Sequence, residues 1–66
     1  MKVKDILTRF DGEFYIYKDI RNKHGNIIDN ECIASNSSIW RELNKYANCE
    51  IKEITAGNFF LNIYLK

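Results

Sequence analysis

The amino-acid sequence predicts an α+β fold of order αββαββ: a four-stranded, mostly antiparallel sheet packed against a helix, with a short N-terminal helix. Three observations point there. Apolar residues fall at helical spacing twice, at Val3, Ile6, Leu7 and Phe10 and again at Ile39, Trp40, Leu43, Tyr46 and Ala47. After each stripe the pattern changes to period two, rich in β-branched and aromatic residues, which suits strands. A glycine beside an asparagine then splits each alternating stretch into a hairpin.

The first stripe makes one face of an amphipathic helix running to Phe10, and Asp11-Gly12 ends it, because glycine readily takes the left-handed conformation that closes a helix. A helix this short is marginal alone and borrows its stability from packing. From Glu13 onward Phe14, Ile16, Lys18 and Ile20 alternate with Tyr15, Tyr17, Asp19 and Arg21, and a second run covers Ile27 to Ala34. Lys23-His24-Gly25 fits a three-residue loop with Gly25 in the left-handed position. That loop would set Phe14 opposite Ala34, Ile16 opposite Cys32, and Ile20 opposite Ile28 on one face. On the reverse face it would set Tyr15 opposite Ile33, Tyr17 opposite Glu31, Asp19 opposite Asp29, and Arg21 opposite Ile27. Asp19 against Asp29 is a like-charge pair, unfavourable unless exposed or bridged by a cation such as Arg21.

Ser35-Asn36-Ser37-Ser38 offers capping groups for the second helix, in which Trp40 is expected to anchor the core. Glu50 to Thr55 and Phe59 to Leu65 form the second hairpin, with Gly57-Asn58 as a two-residue turn. Its register would place Ile54 opposite Leu61, Lys52 opposite Ile63 and Ile51 opposite Tyr64. The expected core is Ile16, Ile28, Trp40, Leu43, Leu61 and Ile63.

Sixty-six residues make one domain, 1–66, with one small core. A chain this short buries only roughly 60% of its unfolded surface and usually needs a staple such as disulfides, a metal or oligomerisation. Here 45% of residues are apolar and 14% aromatic, which favours dense packing or a partner chain. The net charge is +1, and the pI near 7.8 is well below the level at which overall charge steers a domain to nucleic acid. Lys2, Lys4 and Arg9 read as a solvated helix face. Cys32 and Cys49 match no zinc spacing and no disulfide framework, so reduced thiols and a cytoplasmic location are expected. MKVKDILTRF lacks the unbroken apolar core of a signal peptide, and no run is long enough to span a membrane.

Chemistry-bearing residues are scattered. His24, the only histidine, sits in a turn position that accepts most residues, with no second ligand beside it. Gly25 lies six residues before Glu31 as in a calcium loop, but Ile20 and His24 stand where that loop needs oxygen ligands. Cys32 is expected on the apolar face as an inert small hydrophobe. There is no phosphate loop and no serine near a base. The expectation is a protein that is not an enzyme and holds no metal or cofactor.

The reverse face is greasier than a solvated sheet face should be. Tyr15, Tyr17, Ile33, Phe60 and Tyr64, with Ile51, share it, and one eight-residue helix is too short to hide a four-stranded sheet. We expect these five residues to form an interface, either with a second copy in a homodimer or with another protein. A base-stacking platform for single-stranded nucleic acid is the alternative. Asp19, Asp29, Glu31 and Glu53 on the same face make nucleic acid the poorer fit.

Taken together, MKVKDIL, the hairpin around KHGN and the closing FFLNIYLK resemble short reading frames of bacteriophages and mobile elements of low-GC Gram-positive bacteria. Ile, Lys and Asn supply 25 of the 66 residues, the bias of an AT-rich genome. The resemblance covers the chain as a layout, without a specific motif. It implies an accessory protein that binds and inhibits a host protein, for example a component of an antiviral defence system, in the host cytoplasm.

Overall fold

The computed structural model describes residues 1–66. The elements are α1 (Val3–Leu7), β1 (Glu13–Arg21), β2 (Ile27–Ser35), α2 (Trp40–Tyr46), β3 (Ile51–Ala56) and β4 (Phe60–Leu65). They build the α+β architecture that the sequence predicts, with sheet order β2-β1-β4-β3. Both hairpins are antiparallel, and the two central strands, β1 and β4, run parallel. No helix is long and apolar enough to cross a membrane.

This strand order decides which face is covered. The chain leaves the sheet at one edge, β2, and re-enters at the other, β3, so α2 must cross one face to make the connection. The first helix is fastened to the end of that crossing. Val3 N–H donates to Cys49 O at 3.1 Å, Lys4 N–H to Ala47 O at 2.9 Å, and Ile51 N–H to Met1 O at 2.9 Å. Both helices therefore pack into one core on one face. It contains Val3, Phe14, Ile16, Ala34, Leu43, Ile63 and Leu65, with Ile6, Leu7, Phe10 and Tyr46 half-buried against it. Neither helix covers the face that carries Tyr15 and Tyr17.

α1 is shorter than its stripe suggests. After Leu7 the Thr8 hydroxyl donates to Lys4 O at 3.0 Å, turning the chain, and Phe10 reaches the core from outside the helix. The first turn behaves as expected: Gly25 has φ +83, and Arg21 lies opposite Ile27. Beyond it, two bulges shift the register, so Ile20 faces Asp29, Asp19 faces Asn30, Tyr17 faces Cys32 and Ile16 faces Ala34. Each one-residue slip moves side chains between faces. Ile28 falls in one bulge and is 63% exposed rather than in the core. Ile33 falls in the other and packs against the core instead of the aromatic face.

The β3–β4 register also slips, by two residues: Ile54 lies opposite Ile63, and Ala56 opposite Leu61. A two-residue slip preserves the faces, which is why Ile63 remains in the core despite the wrong turn. The bulge beside Ile51 sends that residue to the core side, opposite Leu65. The turn holds three residues, Gly57 to Phe59, and leaves Phe59 at φ +72 and 95% exposed. Trp40 is 61% exposed and is not a core anchor: Leu43 and Tyr46 reach the core, while Ile39 and Trp40, one turn earlier, do not. The serine cluster makes a turn rather than a helix cap. Ser38 Oγ accepts Ser35 N–H at 2.9 Å, and Ile39 in the cap position has no side-chain cap bond.

Candidate protein-binding face

Alternation along β1 and β4 places Tyr15, Tyr17, Phe60 and Tyr64 on the face opposite the helices. Parallel pairing puts Tyr17 directly beside Tyr64, and their rings stack with centroids 5.2 Å apart at 19°. Tyr15 meets Phe60 edge to face, centroids 5.9 Å apart at 76°. Both are arrangements that the charge distribution of aromatic rings favours. The four rings form a strip along the two central strands, each half-buried by its neighbours. Asn62 lies between Phe60 and Tyr64 on β4, and its amide donates to Thr55 Oγ1 at 3.3 Å.

Gly57 belongs to this arrangement. A side chain there would collide with the Phe60 ring, which lies over the turn. The strip is bounded by charge at both ends. At one end the Tyr15 hydroxyl donates to Glu13 Oε1. At the other, the Asp19 carboxylate accepts Lys52 Nζ at 2.8 Å and lies 3.7 Å from Arg21 Nη2. The expected Asp19–Asp29 repulsion is absent because of the first bulge: Asp29 instead accepts the N–H of Asn30 at 2.8 Å. Asp19 keeps only 9% of its side chain exposed, so its two cations compensate a carboxylate largely withdrawn from water.

Two of the tyrosines titrate abnormally. The Tyr15 phenol is raised above 10.0, first by its hydrogen bond to Glu13 and then by desolvation and the Glu13 charge. The Tyr17 phenol is raised by desolvation, then by Cys32 and Tyr64. Cys32 is therefore a neighbour of the aromatic strip, exposed and opposite Tyr17, rather than an apolar-face residue opposite Ile16.

Of the five residues expected at an interface, the structure brings four together and removes Ile33. Glu13, Thr55, Asn62 and Lys52 complete the surroundings. Their period-two spacing relative to the tyrosines signals Glu13 and Asn62, whereas Lys52 is unreadable because its approach to Asp19 spans the sheet. His24 is exposed, its backbone N–H held at 2.9 Å by Asn22 Oδ1, which also accepts Asn26 N–H at 3.1 Å. That places it in an asparagine-closed turn. Both thiols are free, and Cys49 packs beside the core. The class defined is a small α+β protein with one helix-covered sheet face and one open aromatic face. No family model, no curated protein and no solved structure matches the chain.

Proposed function

We propose that this protein is a small non-catalytic binding module that holds a protein partner on the aromatic face of its sheet. One observation carries the proposal: two aromatic couples, Tyr15–Phe60 on a diagonal and Tyr17–Tyr64 in register, lie side by side on the face that neither helix covers. Tyr and Phe on a rigid sheet offer large contact area at little entropic cost, and aromatics are enriched at interface centres. The phenol and amide groups give the rim hydrogen-bonding capacity. The resemblance to phage and mobile-element frames supplies the partner's class, a host protein that the module inhibits in the cytoplasm.

Single-stranded nucleic acid is the second reading, favoured by the position of the rings on central strands, where base-stacking sheets carry theirs. Glu13 and Glu53 beside the strip repel phosphate. The test uses the parent and a Tyr17→Glu, Phe60→Glu double variant. Captured host proteins are identified by mass spectrometry, purified and titrated directly against both forms. We expect a saturable protein complex with the parent and at least a tenfold loss with the variant, because each substitution places an unpaired charge in the contact. Equal binding by both forms contradicts the proposal. Tight, salt-sensitive binding of oligonucleotides by the parent supports the second reading instead.

A further inference from the structure

We propose that a second copy of this chain occupies the aromatic face when no other protein does, the two sheets packing face to face about a two-fold axis with their strands antiparallel. The inference rests on the reading of that face as protein-binding and names its resting occupant. The sheet's other surfaces are unsuited to self-association. A two-fold pairing of β2 edges centred on Asp29, Asn30 or Glu31 sets carboxylates of the two copies opposite each other. Two bulges also interrupt that edge, which is how sheet proteins discourage edge pairing. At the β3 edge, Met1 and Lys2 already occupy the start of the strand, through the Met1 O to Ile51 N–H bond and the Lys2–Glu50 bridge. The remaining face is covered by both helices.

The aromatic face is self-complementary in charge along β1. Glu13 stands at its beginning; at its far end Arg21 and Lys52 flank Asp19 with one positive charge in excess. Antiparallel stacking sets the Glu13 end of each copy against the Arg21–Lys52 end of the other, twice by symmetry. The remaining acid on the face, Glu53, lies on β3 opposite Tyr64 and so level with Tyr17, midway between Glu13 and Arg21; the same operation brings it near the partner's Glu53, one like-charge approach against the two Glu13 to Arg21–Lys52 contacts. Four strands about 4.8 Å apart and roughly 20 Å long give about 400 Å² of contact per copy, the size of a weak, transient interface, so association only toward the upper end of the concentrations below is expected.

The experiment is sedimentation of the full chain from 1 to several hundred micromolar (about that range brackets such an affinity), with a circular-dichroism melt of every variant. The parent should pass from 7.8 kDa to twice that mass, with the transition moving to higher concentration as salt is added. Glu13→Arg should weaken the pair about tenfold, and adding Arg21→Glu should recover most of it. Ile28→Lys and Ile54→Lys, on the two edges, should leave the mass unchanged. A parent that stays at 7.8 kDa throughout overturns the inference, as does dissociation by either edge variant or indifference to Glu13→Arg. A monomeric parent that still loses its captured partner on Tyr17→Glu, Phe60→Glu would leave the proposed function intact and remove only the second copy.

Discussion

The two faces of this sheet are built from the same strands and do opposite things. On one, Phe14, Ile16, Ile63 and Leu65 meet Val3 and Leu43 and are closed off from water. On the other, Tyr15, Tyr17, Phe60 and Tyr64 touch mainly one another and remain half-exposed. The difference does not come from hydrophobicity, since both sets are apolar. It comes from topology: the edge-to-edge crossing of α2 and the backbone bonds that fasten α1 to its end put both helices on one side. A covered face converts burial into stability, whereas an uncovered aromatic face leaves its apolar area in contact with water.

The largest expected effect lies on the covered face. Ile16 and Ile63 are completely inaccessible, so Ile16→Ala should cost on the order of 2–5 kcal/mol, enough to unfold so small a domain at room temperature. Chemical denaturation reads this directly. Leu61→Ala, at a half-buried position beside the same core, should cost less than Ile16→Ala. The reverse order would mean that the core centre has been misplaced.

Phe59 lies outside both faces, in the turn between β3 and β4. Its left-handed backbone is unfavourable for a residue with a large side chain, and at 95% exposure the ring gains nothing from packing. Phe59→Gly should therefore stabilise the monomer by about 1 kcal/mol, seen as a rise in melting temperature. Trp40→Ala should change stability by less than about 1 kcal/mol, because the indole is mostly exposed.

The smallest effect is in pH. Tyr15 and Tyr17 keep their protons more tightly in the folded chain than the ordinary value of 10.0. Groups whose folded value is raised contribute stability that is complete below the unfolded value and is lost as pH rises through the folded one. Melting temperature should be insensitive to these two groups up to about pH 10 and decline above it. Tyr15→Phe, Tyr17→Phe should blunt that decline.

Much of this was legible in the sequence because period and turn chemistry are local. The helical stripes, the alternating strands and Gly25 placed the elements, and their parity put four aromatics on one face. Ile28, Ile33 and Ile51 lie where simple alternation does not put them, because a bulge is a choice made by the whole sheet, and one extra residue changes which face a side chain joins. Trp40 shows the same limit for helices: its stripe is correct, but seven residues of helix bring only part of it to the core. The register of the second hairpin is not legible locally, since Gly57-Asn58 is a good two-residue turn and nothing nearby requires Phe59 to join it. Which face the helices cover was not local at all.

Ile63 and Tyr64 are neighbours in β4 that point to opposite faces, and comparing them tests the division most directly. Ile63→Ala and Tyr64→Ala are measured side by side by denaturant unfolding and by sedimentation across the concentrations at which the proposed pair would form. We expect Ile63→Ala to lose on the order of 2–5 kcal/mol of stability. Tyr64→Ala should lose less than Ile63→Ala, since its stacking on Tyr17 is worth about 0.5–1.5 kcal/mol and its ring is only half-buried, and it should stay folded and fail to associate. A Tyr64→Ala protein that unfolds like Ile63→Ala, or that associates as the parent does, would contradict the account.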